Sequence, residues 1–463
     1  MLLSGPDHQL RECVFYCLSA GAVRDRSYAK SWAAGERDLH NALPQEAPVI
    51  PFHLHRRLPL IRRPFYQRDQ ARLERDRVVQ ELDQLRAERA KLVETANFEM
   101  PPTPSARTGT PATVEDRNLV ARIIASYRMA NTMWAANAPG SMWNVEFFAK
   151  NRDVHEVLVA GDLEAAQRLL RDPSQTDLFY GFDNICRSVS TEDAEGWRGA
   201  GTASYQDLLL LSEAIGARRY WNPEGPIPLS AHMPEAESLV RLLDPDRPMS
   251  TGGRLPDVES LLHDLDRATG FRIAFPNPFF GEVGLITSRG VASYRAIQAL
   301  YQAWRIRQLV GDNTRARIVE IGAGLGRTAL YARELGLNDY TIVDLPLSGV
   351  AQGYFLGRTL GEDAVCLFGE TRPGIHLLPP ATFLDGDGQY DLVINVDSLT
   401  ELAPETACRY CEAIKRQARM LLSINHERNL FTVRHMCRMQ NLFAQARAPY
   451  WMRRGYVEEV FTS

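Results

Sequence analysis

A glycine-rich turn between a short apolar strand and a helix is the feature that most constrains this sequence. The run reads Ile318-Val-Glu-Ile-Gly-Ala-Gly-Leu-Gly-Arg327, and its first four residues are typical of a buried strand. Gly322, Gly324 and Gly326 allow a tight backbone turn and leave no Cβ between the main chain and a ligand. A helix is predicted over Thr328–Leu335, where its free N–H groups would face that ligand. The turn therefore predicts a ligand site at the carboxyl edge of a sheet.

Alternating strands and helices follow this turn. Apolar runs of strand length predict four further strands, over Tyr340–Val343, Ala364–Phe368, Asp391–Val396 and Met420–Ile424. A helix is predicted over Pro404–Ala418, and an antiparallel pair is predicted from Tyr450–Arg453 and Tyr456–Phe461. Strands interleaved with helices favour an α/β fold with a doubly wound, Rossmann-like parallel sheet, here over 312–463.

The acidic residues around the turn indicate which ligand it binds. Asp344 ends the second strand, where a carboxylate can accept the hydroxyls of an adenosine ribose. A nicotinamide dinucleotide requires G-x-G-x-x-G, whereas the third glycine here comes one position early and Arg327 takes its place. Glu320 precedes the glycines and can help to hold an ammonium group. We therefore expect S-adenosylmethionine, with Asn395 as a further cofactor-binding residue; a nicotinamide cofactor and a purely structural turn are the alternatives.

Polar residues near the ends of the fourth and fifth strands are the candidates for catalysis. Transfer of a methyl group to a hydroxyl requires a base that accepts the proton of the hydroxyl. His426 is our first choice because an unperturbed imidazole titrates near neutrality. Asp397 and Glu427 are alternatives, either as the base or as the group that orients His426. Structural roles remain open for all three. Asp397 could cap the following helix, Glu427 could be an ordinary acid in the first turn of a helix, and His426 could be a polar loop residue.

No metal is expected at this edge. Asp397, Glu401 and Glu427 carry the ligands that hard cations prefer, but their spacing does not place them together. Cys408 and Cys411 form a single C-x-x-C with no second pair nearby, and we interpret them as two thiols on one helix. Seven cysteines in a chain of this length indicate no disulfide framework and favour a reducing compartment.

Charge and hydropathy exclude several classes of protein. The 53 Lys and Arg residues against 57 Asp and Glu residues give a net charge of −4, which does not suit a basic nucleic-acid binder. No apolar run has the length of about 18 residues that a transmembrane segment needs, and no secretory leader is visible at the N-terminus. We expect a cytoplasmic protein.

The first hundred residues are predicted to form an appendage. Residues 1–66 have no assigned role. The segment 67–95 is rich in strong helix formers, and its apolar residues recur at heptad spacing, at Ala71, Val78, Leu85 and Leu92. It predicts a helical coiled-coil segment that forms a homodimer, or else a solvated helix. Residues 96–113, rich in proline and threonine, predict a linker.

The stretch 114–311 is predicted to be a mainly helical domain that caps the site or binds substrate. Apolar stripes at helical spacing support this interpretation, and the first of them contains Leu119, Ile123, Ile124 and Tyr127. Its last part, Arg289–Leu309, predicts one long helix. No strand of useful length is expected in this stretch.

Several segments resemble the family of sugar O-methyltransferases. They are Leu178–Asp183, Val319–Arg327, Tyr340–Pro346, Asp391–Glu401 and Ser423–Glu427. The resemblance covers roughly 115–463, and one departure is Ala323, where relatives often have glycine. It implies a class I S-adenosylmethionine-dependent methyltransferase domain behind a helical portion. It also implies that the acceptor is a sugar or glycoconjugate hydroxyl, methylated in polysaccharide or glycoconjugate biosynthesis.

Two other functions remain open at this stage. The chain could keep the fold without catalysis and bind a partner through 67–95. It could also be a nicotinamide-dependent oxidoreductase, although the early third glycine disfavours that activity. Binding of S-adenosylmethionine, of a nicotinamide dinucleotide or of neither distinguishes the three.

Overall fold

The computed structural model describes residues 115–134, 145–172, 176, 178, 194–217, 256–279, 282, 284–427, 429–453 and 455–462. The predicted appendage, coiled coil and linker lie outside the described residues, so dimerisation through 67–95 stays a prediction. The predicted domain boundaries also stay predictions.

Helices and one hairpin precede the main sheet. The helices are α1 (Arg117–Trp134), α2 (Val145–Lys150), α3 (Arg152–Ala160), α4 (Leu163–Arg171), α5 (Ala194–Ala214), α6 (Val258–Thr269) and α7 (Tyr294–Val310). The hairpin consists of β1 (Leu285–Thr287) and β2 (Gly290–Ala292), which pair antiparallel. The mainly helical character predicted for this stretch is therefore seen in its described parts, and its two strands, of three residues each, are too short to show alternation.

The helix predicted over Arg289–Leu309 starts later than expected. Its first residues form β2, and Ser293 caps α7 by accepting a hydrogen bond from the backbone N–H of Ala296. Gly290 has a φ of 108°, and a Cβ at this position would lie 2.1 Å from the carbonyl oxygen of Phe275. The close approach of the two backbones therefore requires glycine and excludes a helix here.

Eight strands form the main sheet. They are β3 (Ile318–Ile321), β4 (Tyr340–Val343), β5 (Val365–Cys366), β6 (Ile375–Leu378), β7 (Leu392–Val396), β8 (Met420–His426), β9 (Phe443–Pro449) and β10 (Tyr456–Thr462). Their order is β5-β6-β4-β3-β7-β8-β10-β9. The helices between them are α8 (Arg327–Glu334), α9 (Pro346–Leu360), α10 (Pro380–Leu384), α11 (Pro404–Gln417) and α12 (Val433–Met439).

The doubly wound α/β arrangement is confirmed, but the sheet is mixed rather than wholly parallel. The strands from β3 to β8 run parallel, whereas β10 is antiparallel to both β8 and β9. The chain goes from β3 to β4 on one side and later returns to β7 on the other side of β3. The carboxyl ends of β3 and β7 therefore form a topological switch point, where such sheets bind ligands.

Two strand predictions needed correction. The predicted strand Ala364–Phe368 shortens to the edge strand β5, and the strand beside β4 is β6, which sequence reasoning missed. Strand β6 has only four residues, Ile375-His-Leu-Leu378, which is too short for a periodic pattern in the sequence. The antiparallel partner predicted for β10 was Tyr450–Arg453, whereas the observed one is β9. Strand β9 was missed because its small and polar residues are not typical of a strand.

Buried apolar side chains cover both faces of the sheet. The larger cluster extends from α1 and α5–α7 to one face of the sheet, and it includes Leu119, Leu208, Leu262, Ile297, Ile318 and Ile342. The other face packs on α11 and α12 through a cluster that includes Val319, Ile321, Ile414 and Met436. Helix α1 thus shares a core with the sheet. None of the described helices is long and apolar enough to cross a membrane.

Glycines of α9 permit the close contact with α1. A Cβ at Gly357 would lie 2.7 Å from both Cδ atoms of Leu119, which is itself fully buried. A Cβ at Gly353 would lie 3.4 Å from Cγ1 of Ile123. At Gly349, two turns before Gly357, a Cβ would meet no atom within 4 Å.

Substitution of Gly357 by leucine should destabilise the fold. The new side chain overlaps Leu119 in a packed interface, and overpacking of this kind costs about 1–3 kcal/mol. Gly349→Leu is the matched control, because it places the same side chain on the same helix in open space. Urea denaturation checks both variants, and equal free energies of unfolding would contradict the described packing.

Candidate functional site

The glycine turn has the backbone geometry that its sequence predicts. Gly322, Gly324 and Gly326 have φ values of 71°, 57° and 85°, a region that favours glycine. A Cβ at Gly322 would lie 2.3 Å from Oγ of Ser398, whereas a Cβ at Gly324 would meet nothing within 4 Å. The second glycine therefore leaves space beside the main chain.

Asp344 joins this turn to the end of β4. Its Oδ2 accepts hydrogen bonds from the backbone N–H of Ala323 at 3.0 Å and from Nε2 of Gln352 at 2.7 Å. Its Oδ1 accepts one from the backbone N–H of Leu345 at 2.8 Å. A carboxylate has about four acceptor positions, so these three donors leave about one, which the nearby hydroxyl of Ser348 can also use. Burial raises the pKa of Asp344 to about 6, although these hydrogen bonds oppose the shift.

Gln352 is a site residue that sequence reasoning missed. It is fully buried on α9, and its Nε2 also donates to the carbonyl oxygen of Gly324 at 3.0 Å. Its Oε1 accepts no hydrogen bond from any described residue. The signal for it was a lone amide in the otherwise apolar stretch of the helix that follows the acidic strand end.

Glu320 lies beneath the turn rather than at its rim. Its side chain is 2% exposed, and its Oε2 accepts a hydrogen bond from the hydroxyl of Tyr340 at 2.9 Å. Burial raises the pKa of Glu320 to about 8, so the neutral acid predominates at neutral pH. The predicted contact with an ammonium group therefore requires that the positive charge of the ligand favour the ionised form of Glu320. That contact stays a prediction.

Asn395 connects the ends of three strands. Its Nδ2 donates to the carbonyl oxygen of Ile321 at 3.0 Å, and its Oδ1 accepts from Nδ2 of Asn425 at 2.9 Å. The side chain is fully buried and connects the ends of β3, β7 and β8. It therefore positions the strand ends, and its predicted contact with the cofactor stays a prediction.

The two leading candidates for the base lie in one group of side chains, which we call the Tyr456 cluster: His426, Asp397, Arg453 and Tyr456. Oδ1 of Asp397 accepts a hydrogen bond from the hydroxyl of Tyr456 at 2.5 Å, and Oδ2 pairs with Arg453. The guanidinium of Arg453 lies 3.9 Å from the centroid of the Tyr456 ring. The ring of His426 meets the same ring edge-on, with centroids 5.0 Å apart. Sequence reasoning missed the contributions of Arg453 and Tyr456.

The cluster determines what each candidate can do. His426 is the last residue of β8, directly opposite Tyr456 in the register, and does not follow the strand as predicted. Gly455 packs against it so closely that a Cβ there would lie 2.8 Å from Nε2 of His426. Each oxygen of Asp397 has one partner, Tyr456 or Arg453, so about two of the four acceptor positions of the carboxylate remain. Burial and the Asp397 charge raise the pKa of Tyr456, which keeps the phenol protonated.

Glu427, the third candidate, is paired with an arginine. Its Oε2 accepts a hydrogen bond from Arg447 at 2.6 Å, and Arg447 also donates to Glu459 at 2.8 Å. Glu427 is therefore part of an ion-pair group between β8, β9 and β10. Its predicted role in catalysis stays a prediction, and its carboxylate is paired with the partly exposed guanidinium of Arg447.

Arg327 explains why the turn departs from the dinucleotide spacing. It is the first residue of α8 and is 4% exposed. Its guanidinium pairs with Glu282 at 2.7 Å and lies 4.9 Å from the ring centroid of Phe355. The position that a dinucleotide-binding turn reserves for close helix–strand packing thus holds a buried ion pair.

Within the described ranges no three His, Cys, Asp or Glu side chains are grouped to hold a metal ion. Cys408 and Cys411 both lie on α11, as predicted. Cys411 lies against Cys437, with 3.7 Å between their sulfur atoms, and both thiols are free and buried.

No protein-family model and no curated protein matches the sequence. Among solved structures, the chain is similar to the CcbJ methyltransferase of Streptomyces caelestis, with 10% identity over 36% of this chain and 89% of that chain and a TM-score of 0.29. It is also similar to the magnesium protoporphyrin IX methyltransferase of Synechocystis with bound S-adenosylmethionine, with 16% identity over 36% of this chain and 81% of that chain and a TM-score of 0.27. Likenesses this low do not decide the activity.

Replacing Glu320 by glutamine should change how stability depends on pH. As pH rises above about 4.5, the unfolded chain loses this proton while the folded chain keeps it to about 8, so folding weakens across that range. Glu320→Gln removes this effect. Between pH 5 and pH 8, its free energy of unfolding should rise relative to that of wild type by on the order of 2–4 kcal/mol. Urea unfolding at both pH values measures it.

Glu334→Gln, an exposed site on α8, is the control and should follow wild type at both pH values. If the free energy of unfolding of Glu320→Gln changes between pH 5 and pH 8 by the same amount as that of wild type, the buried, protonated carboxyl is contradicted.

Proposed function

We propose that this chain is an S-adenosylmethionine-dependent O-methyltransferase whose acceptor is a sugar hydroxyl. The observation that carries the proposal is that Asp344 accepts hydrogen bonds from the N–H of Ala323 and from Gln352. These bonds hold an acidic strand end against a glycine turn at the switch point. The sugar rests on the sequence resemblance alone.

The residues at this edge fit an adenosyl cofactor. Gly324 leaves open space beside the turn, and Asp344 has about one acceptor position left for a ribose hydroxyl. Oε1 of Gln352 is a second acceptor without a donor among the described residues. Together these groups match a ligand that brings hydroxyl donors and no pyrophosphate.

Two features disfavour a nicotinamide dinucleotide. The buried pair of Arg327 and Glu282 occupies the start of α8, where a pyrophosphate-binding turn needs its third glycine. In addition, a dinucleotide-binding sheet has a second mononucleotide-binding half, which would continue the parallel order beyond β8. Here the strand next to β8 is β10, which runs antiparallel to it.

The chain's own residues would divide the work of methyl transfer. S-adenosylmethionine supplies a methyl group on a positively charged sulfur. Asp344 and the glycine turn would hold the adenosyl part, while His426 would accept the proton of the acceptor hydroxyl. Asp397, held by Arg453, would fix the Tyr456 ring against which His426 packs. The role of Asp397 would be to position the base.

Titration calorimetry tests the cofactor with Asp344→Ala. Wild type should bind S-adenosylmethionine and S-adenosylhomocysteine but not NAD, and the variant should lose about tenfold or more in affinity, because a ribose hydroxyl loses a charged acceptor. Wild-type affinity should also fall as pH decreases through about 6, the pKa to which burial raises Asp344. The variant should lack that dependence.

Asp339→Ala, at an exposed position just before β4, is the matched control and should bind as wild type does. Binding of NAD in place of the adenosyl ligands would contradict the proposal. Binding of neither ligand would favour a non-catalytic partner-binding subunit.

Replacing His426 by alanine should slow transfer without weakening cofactor binding. Loss of a general base typically costs about 10²–10⁴-fold in rate. Methyl transfer from labelled S-adenosylmethionine to a panel of free, nucleotide-linked and polymeric sugars measures the rate, and calorimetry measures binding. His263→Ala, at an exposed position on α6, is the control. Full activity of the His426 variant would assign the proton to another acceptor.

A further inference from the structure

Helices α1 and α9 are in contact at one end of their interface and leave space at the other. Gly349, Gly353 and Gly357 lie on one face of α9, spaced four residues apart. The last two face Leu119 and Ile123 of α1, whereas a Cβ at Gly349 would meet no atom. The space therefore opens towards the start of α9, which immediately follows Asp344.

A pocket occupies this opening. One wall consists of α1 residues, among them Ile123, Ser126 and Tyr127, and Asp344 and Gln352 lie on the other side. The ends of β4 and β6 close it with Leu345 and Leu378. The pocket is thus continuous with the residues proposed to hold the ribose.

Two polar features point to a ligand rather than to an accidental gap. Gln352 lines the pocket, is fully buried and presents an Oε1 that no described residue satisfies. An unsatisfied buried oxygen costs about 1–3 kcal/mol, which a donor on a ligand would offset. Ser126 adds a hydroxyl from the α1 side.

The α1 wall is held in place by α3. The hydroxyl of Tyr127 shares a hydrogen bond of 2.7 Å with Nδ1 of His155, and the two rings meet edge-on at 6.0 Å. Burial raises the pKa of Tyr127, which keeps the phenol neutral. An aromatic ring fixed in this way is suited to contact a flat, largely apolar base.

We propose that α1 forms one wall of the binding pocket for the adenine ring of the cofactor, with Gly349 and Ser126 as specificity-determining positions. The inference rests on the proposed function. It adds that a helix outside the sheet, from the predicted helical region, contributes directly to cofactor binding. Apolar walls with a few polar atoms are the usual lining of such a pocket.

Gly349→Leu in the full chain gives the sharpest test. Leucine fills the pocket without meeting protein atoms at its Cβ and is a better helix former than glycine, so the apo protein should be at least as stable as wild type. S-adenosylhomocysteine should nevertheless bind about 30-fold more weakly or worse in titration calorimetry. Adenosine, as a competing ligand, should lose affinity by a similar factor.

Ser126→Trp approaches the same space from α1 and should weaken binding to a similar extent. Ala125→Trp is its matched control, because Ala125 is the preceding residue and is exposed. It should bind S-adenosylhomocysteine as wild type does. Thermal unfolding without ligand is recorded for each variant, and if one variant is destabilised, Gly349→Ala tests the same space with a single methyl group.

The outcomes separate the two proposals. If wild type binds neither S-adenosylhomocysteine nor S-adenosylmethionine, the proposed function fails. If wild type binds but stable Gly349→Leu and Ser126→Trp proteins bind as tightly as Ala125→Trp, the cofactor is real and the α1 wall is refuted.

Discussion

The buried carboxylate of Asp344 is the contact on which the rest of the site depends. It accepts hydrogen bonds from the turn after β3, from the residue that follows it and from α9, so it joins the turn to the start of this helix. Burial alone would favour the neutral acid, as its raised pKa indicates. These hydrogen bonds offset part of that cost, and they also fix the shape of the edge where the ligand is proposed to bind.

Two regions of different character lie along this edge of the sheet. On the side of β4 and β6, an apolar pocket adjoins Asp344 and Gln352. On the side of β7, β8 and β10, Tyr456 contacts both a histidine and a carboxylate, and the carboxylate is also paired with an arginine. Asn395 lies between the two regions and binds the strand ends to each other. Such an arrangement suits a cofactor on one side and an acceptor on the other.

The parts of the fold that could be predicted are those with a local signal. The glycines, the strand before them and the strand ending in Asp344 follow from short-range pattern. Strand β6 could not be found because four residues are too few to show a periodic pattern. Gln352, Arg453 and Tyr456 could not be placed at the site because their partners are brought to them by the tertiary fold rather than by spacing along the chain. The partner of β10 was missed for another reason: β9 consists mostly of small and polar residues, which carry little strand signal.

A crystal structure of the full chain with S-adenosylhomocysteine tests the central claim most directly. The account predicts that a ribose hydroxyl contacts the Asp344 carboxylate, with the base between α1 and α9 and the amino acid part towards the glycine turn. Density for the ligand elsewhere, or an Asp344 carboxylate that keeps its present partners and makes no contact with the ribose, would contradict it.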